Sequence, residues 1–103
     1  MTNKEAFALR LSKLRIKKDI SARDMSLTLG QSPAYINNIE TGLALPSMNS
    51  FFNICDFLEI TPQEFFNYDN EDPKLKNTLY SEFDNLTPSQ MQNLTSFIKS
   101  FTN

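Results

Sequence analysis

The spacing of the apolar residues constrains the fold of this chain more than any other feature, because it is helical along almost the whole sequence. Phe7, Leu11 and Leu14 recur at steps of four and three residues, and Leu75 and Leu79 repeat the step of four further on. Such a period places apolar side chains on one face of a helix, whereas a half-buried strand alternates apolar and polar residues. No segment of the sequence alternates in that way. The pattern therefore predicts an all-α protein.

Start and stop signals divide this pattern into seven helices. Thr61–Glu64 is a T-P-Q-E capping box, and Thr87–Gln90 repeats the pattern as T-P-S-Q. Ser32-Pro33 predicts a Ser cap with Pro at the first helical position, and Gly30 and Gly42 are natural stops, since glycine tolerates a left-handed conformation. The predicted helices cover about residues 4–18, 21–29 and 33–41, and four more begin near Pro46, Thr61, Pro73 and Thr87.

The order of these helices predicts two parts. At 103 residues the chain has the length of one domain, or of a small domain with an appendage. We expect a five-helix domain over residues 1–67 and a C-terminal two-helix extension over residues 73–103. The stretch 68–72 between them is polar and acidic, as is typical of a linker.

Composition argues against catalysis. The chain has no histidine, which removes the usual general base, the Ser-His-Asp and Cys-His arrangements and most zinc sites. Glycine occurs only twice, so no glycine-rich phosphate loop exists. Cys55 falls on the core face of a predicted helix, where packing is its expected role. We therefore expect a protein that is not an enzyme and that uses no cofactor and no metal.

The same composition favours a cytoplasmic protein. Cys55 is the only cysteine, so no intrachain disulfide can form, which fits a reducing interior. The first residues lack the apolar stretch and cleavage site of a secretory signal. No apolar run approaches the roughly 18 residues that a membrane span needs, so we expect no membrane partner.

Charge is distributed unevenly along the chain. The net charge is −2, but residues 1–24 hold seven basic and three acidic side chains, a net charge of +4. Residues 25–66 have no Lys or Arg and four acidic side chains. A basic segment can bind an anionic partner whatever the total charge is, although a solvated helix face explains the same pattern.

The middle of the chain has the spacing of a helix-turn-helix. Two short predicted helices are joined by Gly30-Gln31-Ser32, and Ser26 is small where the helices approach most closely. At about 100° per residue, the third helix presents a Pro-Ala-Asn-Asn face opposite its isoleucines. Asn can pair bidentately with adenine, and an Ala methyl can touch a thymine methyl. This face is a candidate base reader, although Asn is also common on exposed helices.

From Leu11 to Phe66 the chain resembles the XRE family, the lambda-repressor-like helix-turn-helix domains. The matching residues are R-L-S-K-L-R (10–15), I-S-A-R-D-M-S (20–26), L-G (29–30), S-P-A-Y-I-N-N-I-E-T-G (32–42), P-S-M (46–48), I-C-D-F-L (54–58) and T-P-Q-E-F-F (61–66). The resemblance implies a five-helix domain whose third helix enters the major groove of double-stranded DNA, usually as a homodimer on paired half-sites.

The resemblance also implies roles for individual residues. The base-facing residues would be Pro33, Ala34, Asn37 and Asn38. Phosphate contacts would come from Lys17, Lys18, Ala22, Arg23, Ser32, Tyr35, Thr41, Leu43 and Ala44. Arg15 matches the Arg that such domains pair internally with the Glu at the end of the recognition helix, here Glu40.

Three departures from the family pattern indicate few phosphate contacts. The family usually has Gln where this chain has Ala22, and the commonly basic loop after Gly42 reads Leu-Ala-Leu. Pro33 lacks the amide that a helix N-terminus can offer to a phosphate. Because phosphate neutralisation supplies most non-specific affinity, we expect weak monomer binding with a shallow salt dependence.

The C-terminal helices lie outside the resemblance. Their apolar stripes are Leu75, Leu79 and Phe83 on one helix, and Met91, Leu94, Phe97, Ile98 and Phe101 on the other. We expect a dimerisation element, because two short amphipathic helices bury little alone; packing back on the five-helix domain is the alternative.

The sequence thus predicts a sequence-specific DNA-binding regulator, in the form of a repressor. The alternative is a protein-interaction module, antirepressor-like or antitoxin-like, that keeps the fold with little DNA affinity and has a protein partner. The basic first helix favours the regulator, and the Leu-Ala-Leu loop favours the alternative.

Overall fold

The computed structural model describes residues 1–102, and this part of the chain is helical with no strand. The chain divides into two compact units, the first over Met1–Pro73 and the second from Lys74 onward. The seven helices are α1 (Asn3–Lys17), α2 (Ala22–Thr28), α3 (Tyr35–Glu40), α4 (Met48–Leu58), α5 (Pro62–Phe66), α6 (Pro73–Phe83) and α7 (Pro88–Thr102). The all-α prediction is confirmed. Within the described residues, no helix is both long and apolar enough to cross a membrane.

The core of the first unit draws one apolar face from each of its five helices. Leu11 of α1, Met25 of α2 and Ile36 of α3 are fully buried there. Phe51 and Phe65 meet edge to face with their ring centroids 5.1 Å apart, a favoured geometry for aromatic pairs. Because each helix is short, its stability comes from this shared packing rather than from its own propensity.

Helix caps fix where the helices of the first unit begin and end. Thr61 and Glu64 form the reciprocal capping box predicted for α5. Gly30 and Gly42 follow α2 and α3 with φ of +73° and +81°. After Gly30, the amide of Gln31 donates to the carbonyl of Ser26 at 2.9 Å. This bond, with that of Gly30 to Leu27, is the Schellman pattern that a left-handed residue permits.

The third helix begins later than the sequence predicts. It runs over Tyr35–Glu40 rather than 33–41, and Ser32 and Pro33 lie in the turn before it. Ala34 is the N-cap and has no capping side chain. The amide of Tyr35 donates to the carbonyl of Ser32 at 3.1 Å, closing a turn instead of a first helical residue at Pro33. The predicted Ser32 cap is therefore wrong.

The predicted linker belongs to the first unit in this structure. Residues 68–72 form a turn and a bend that end at Pro73, which is fully buried. Arg10 of α1 lies over the ring of Tyr68, with its guanidinium carbon 5.9 Å from the ring centroid. The stretch is thus tied to α1 by a specific contact.

The second unit consists of most of α6, a tight turn and α7. The T-P-S-Q box forms as predicted: the amide of Gln90 donates to Thr87 Oγ1, and the amide of Thr87 donates to Gln90 Oε1 at 2.9 Å. No residue of α7 is buried. Asn103, the last residue of the predicted extension, lies outside the described residues.

Candidate nucleic-acid interface

The start of α3 is held by a side chain of α2. Ser26 is fully buried, and its hydroxyl oxygen accepts the amide of Ile36 at 3.0 Å while the hydroxyl donates to the carbonyl of Ala22 at 2.7 Å. This bond supplies the cap that Ala34 lacks, because the first amides of a helix have no partner within it. The sequence indicated only that Ser26 is small, and its hydroxyl is equally important.

The end of α3 is held by α1. Arg15 Nε and Nη2 donate to the two carboxylate oxygens of Glu40 at 2.7 and 3.0 Å, and Nη1 donates to the carbonyl of Ile20 at 2.7 Å. The hydrogen bonds to Glu40 raise the pKa of Arg15. This is the pair that the family resemblance implies. A bidentate Arg–carboxylate pair fixes direction as well as distance, so it sets the orientation of α3 against α1.

Three of the four predicted base-facing residues are exposed. Pro33 and Ala34 lie in the turn before α3, and Asn37 lies on its outer face. The fourth, Asn38, is half-buried. Its carbonyl accepts the amides of Leu43 and Ala44 at 2.9 and 3.1 Å. Asn37 is therefore the amide most available for a base edge, and Asn38 also anchors the following loop.

Among the predicted phosphate contacts, Lys17 and Arg23 are exposed, so their charges are available to a phosphate. The ammonium of Lys18 lies 3.9 Å from Glu59 Oε2 and 5.0 Å from the ring centroid of Phe57. The charge of Lys18 therefore already interacts with Phe57 of α4 and with Glu59, the C-cap of α4.

The structure does not place the Tyr35 hydroxyl where a phosphate contact needs it. The phenol oxygen is buried and has no hydrogen-bond partner in the described part of the chain. A phosphate lies in solvent at the surface of DNA, so this oxygen does not reach one in the present arrangement. The prediction for Tyr35 followed from its place in the motif, which does not reveal the direction of the ring.

The other predicted phosphate contacts carry no charge. Ser32, Leu43 and Ala44 are exposed and Ala22 is half-buried. The Thr41 hydroxyl donates to the carbonyl of Asn37 at 2.8 Å. Leu43 and Ala44 can offer only their backbone amides as hydrogen-bond donors, and both amides already donate to the carbonyl of Asn38.

Two of the seven basic side chains in residues 1–24 are turned inward. Arg15 pairs with Glu40, and Arg10 is only 4% exposed. Arg10 Nε and Nη2 donate to the carbonyls of Phe65 and Glu64 at 2.7 and 2.8 Å, satisfying the end of α5. The internal role of Arg15 agrees with the family resemblance, whereas the burial of Arg10 was not predicted. Only long-range contacts reveal this, and no local pattern encodes them.

The loop after α3 is apolar and solvent-exposed. Leu43 is 75% exposed and Leu45 is 56% exposed. Met48 and Phe52, one turn apart at the start of α4, are also exposed. These four exposed apolar residues, which we call the apolar patch, follow α3 in the sequence, and two of them lie in the loop that is commonly basic in the family.

Cys55 lies in the core of the first unit, at 1% exposure. Burial, together with the neighbouring carboxylate of Asp56, raises the pKa of its thiol to about 11. The thiol is therefore protonated near neutral pH and is a poor nucleophile.

The predicted dimerisation residues are largely solvent-exposed. Leu75, Leu79, Met91, Phe97, Ile98 and Phe101 are exposed, and Phe83 and Leu94 are half-buried. Phe97 and Phe101 meet edge to face with their ring centroids 5.0 Å apart. They form an aromatic ridge on one face of α7.

Comparison with known proteins identifies a family. Residues 11–65, more than half of the chain, match the family model described as helix-turn-helix. The match covers α2, α3 and α4, the second half of α1 and most of α5. No curated protein and no solved structure matches the chain significantly.

Proposed function

This chain belongs to the helix-turn-helix family, as a DNA-binding regulator of the XRE type, and we propose that it is a sequence-specific repressor that acts by occupying its site on double-stranded DNA. Such a repressor meets its DNA in the cytoplasm and needs no cofactor.

The rigid placement of α3 carries this proposal. Ser26 holds the first turn of α3 and Arg15 holds its last residue, while Asn37 remains exposed between them. A base-reading side chain is useful only if its position is fixed to a fraction of an ångström, since bidentate hydrogen bonds are directional. Asn37 can then donate to and accept from an adenine, and the exposed methyl of Ala34 can contact a thymine methyl.

The sparse charge around α3 favours a dimer. Only Lys17 and Arg23 are predicted phosphate contacts whose charge is exposed and not shared with another side chain. The logarithm of affinity falls with the logarithm of salt by about 0.9 per phosphate contact, so a monomer gains little and its salt dependence is shallow. Two linked domains multiply their affinities through a high effective concentration. The exposed stripes of α6 and α7 are our candidate for the linkage between two copies.

A protein-interaction module is the second candidate function, and the exposed patch of Leu43, Leu45, Met48 and Phe52 favours it. Contiguous exposed apolar residues often mark a protein contact. A partner seated there would lie beside α3, as an antirepressor or an antitoxin-like contact requires.

Selection from a random duplex pool near 50 mM salt tests the proposal, since low salt favours detection of a binder with few phosphate contacts. We expect one enriched motif with two half-sites about one helical turn apart. An Asn37→Ala, Asn38→Ala double variant should lose the enrichment, while Asn49→Ala on the exposed surface of α4 should keep it. If no sequence is enriched and no binding occurs, the regulator proposal is wrong and the interaction module becomes the better reading.

A further inference from the structure

The outer face of α1 carries a groove that contains none of the predicted base-facing residues. Its volume is about 660 Å³, and it is lined by α1 and by the turn that follows α5. Leu9 and Ile16 expose their side chains in this lining, and Ile16 is 62% exposed. Pockets of about 300–1,000 Å³ with apolar walls and a few polar groups are typical of small-molecule sites.

The polar groups of this groove are mainly cationic. Arg10, Lys13 and Lys17 line it, against a single carboxylate, that of Glu71. Lys13 and Lys17 lie on the α1 surface and are exposed. An occupant with an apolar body and a negative head therefore complements both the shape and the charge of the lining.

Arg10 is the residue of this groove that is best suited to bind an anion. Only 4% of its surface is exposed, and within residues 1–102 no carboxylate forms an ion pair with it. Its Nε and Nη2 are occupied by the carbonyls of Phe65 and Glu64, and no acceptor for Nη1 is found among the described residues. A carboxylate at Nη1 would add a charge-assisted hydrogen bond, which is stronger than a hydrogen bond between neutral groups.

Arg10 also makes a cation–π contact with the ring of Tyr68. The ring lies 5.9 Å from the guanidinium carbon, and cation–π contact holds the guanidinium plane in place. Burial lowers the pKa of Arg10, which is the expected sign for a cation short of compensating negative charge. Arg nevertheless stays protonated at neutral pH, so the charge is permanently available.

We propose that this groove binds a small amphipathic carboxylate, with its hydrocarbon chain along Leu9 and Ile16 and its carboxylate on Arg10 and Lys13. The occupant is a small molecule rather than a protein segment, because the groove has the volume of a small-molecule site and combines the apolar side chains of Leu9 and Ile16 with the cationic side chains of Arg10 and Lys13. Lys17 lies in the same lining and is also a predicted phosphate contact, so an occupied groove can alter DNA affinity; the site itself does not depend on DNA binding.

Decanoate, kept below its micelle-forming concentration, is the test ligand, and amide chemical shifts of the full chain are the readout. We expect saturable shifts centred on the outer face of α1. Decanol, which has the same chain without the charge, should bind at least about tenfold more weakly, as the loss of a charged hydrogen bond predicts. Acetate, which lacks the chain, should leave the shifts unchanged.

Two pairs of variants localise the site. Ile16→Gln and Lys13→Glu should each weaken decanoate binding about tenfold. Leu27→Gln, exposed on α2, and Lys4→Glu, on α1 outside the lining, change the same chemistry elsewhere and should leave binding unchanged. None of these four side chains is buried, so all variants should fold.

Three results overturn the proposal. Equal affinity for decanol and decanoate means that Arg10 and Lys13 do not recognise the head group. Binding that survives both Ile16→Gln and Lys13→Glu places the ligand elsewhere. Shifts of the α1 amides on dilution alone, without decanoate, mean that a second copy of the chain occupies the groove. Failure of DNA binding changes none of these readouts.

Discussion

Phe65 and Phe97 are both phenylalanines on helices of the same chain, yet Phe65 is fully buried and Phe97 is 62% exposed. The first unit places one apolar face of each helix in a common core, and a side chain of α2 caps the start of α3. The second unit has the same helical signals and the same kind of capping box, but none of its described residues, 74–102, is buried. Local signals thus suffice to form helices in both units. Only the first unit has enough apolar helix faces to bury its apolar side chains together.

The largest effect expected from this difference is on stability. Phe65→Ala removes a fully buried ring and should lower the free energy of unfolding by about 3–5 kcal/mol. Phe97→Ala, the matched change in the second unit, should leave the free energy of unfolding of a dilute sample almost unchanged. Urea denaturation followed by circular dichroism measures both. Equal losses would mean that Phe97 is buried in solution and that the two units do not differ as described.

The next effect concerns the oligomeric state of the protein, which we expect to depend on the exposed stripe of the second unit. Ile98→Glu places a charge on the exposed stripe of α7, so we expect it to convert a dimer to a monomer and to weaken DNA binding about a hundredfold, since bivalency is lost. Ser96→Glu adds the same charge on another face of α7 and should do neither. Sedimentation velocity and DNA titration give the two readouts. A dimer that persists in Ile98→Glu places the interface elsewhere, and a wild-type monomer at all concentrations removes the dimer proposal.

A smaller effect separates the hydroxyl groups of the two units. Ser26→Ala leaves the buried amide of Ile36 without its acceptor, which should cost about 1–3 kcal/mol of stability. Ser81→Ala removes a hydroxyl that donates to the carbonyl of Asn77 on the exposed surface of α6, and we expect a change within about 0.5 kcal/mol. Denaturation of the two variants side by side is the measurement. A Ser26→Ala protein as stable as the wild type would show that water replaces the hydroxyl.

The smallest effect is confined to one base pair. Asn37→Ala should lose about 1 kcal/mol of discrimination at a single position of the DNA site, at the low end for a direct base contact. Asn93→Ala, an exposed amide of α7, should lose none. Competition titration with single-base variants of the selected site distinguishes them. A uniform loss across all sequences for Asn37→Ala would reassign it to the phosphate backbone.

The sequence predicts the helices well because their signals are local. The capping boxes at Thr61 and Thr87 and the left-handed glycines at 30 and 42 depend on residues within four positions of each other. The later start of α3 could not be predicted in this way, since the hydroxyl that caps it comes from Ser26, ten residues away. The direction of the Tyr35 ring and the burial of Arg10 likewise depend on contacts made only after the chain folds.

The Arg15–Glu40 pair is a long-range contact that could nevertheless be predicted. Spacing alone gives no reason to join two residues 25 positions apart, and the pair was expected only because the chain resembles a known family. The groove on α1 was not expected at all. Most of its lining residues share a face of α1 that periodicity assigns to solvent, and the buried state of Arg10 is what distinguishes that face from an ordinary polar surface.

The six residues of α3 are too few to form a stable helix in isolation. Ser26 fixes its beginning and Arg15 its end, and neither of these bonds involves the outward side chains. The outer positions can therefore be exchanged without altering how the helix is seated. Substitutions at Asn37 and in the Pro33-Ala34 turn should produce a set of proteins of equal stability that recognise different DNA sequences, so this domain offers a ready framework for rewriting specificity.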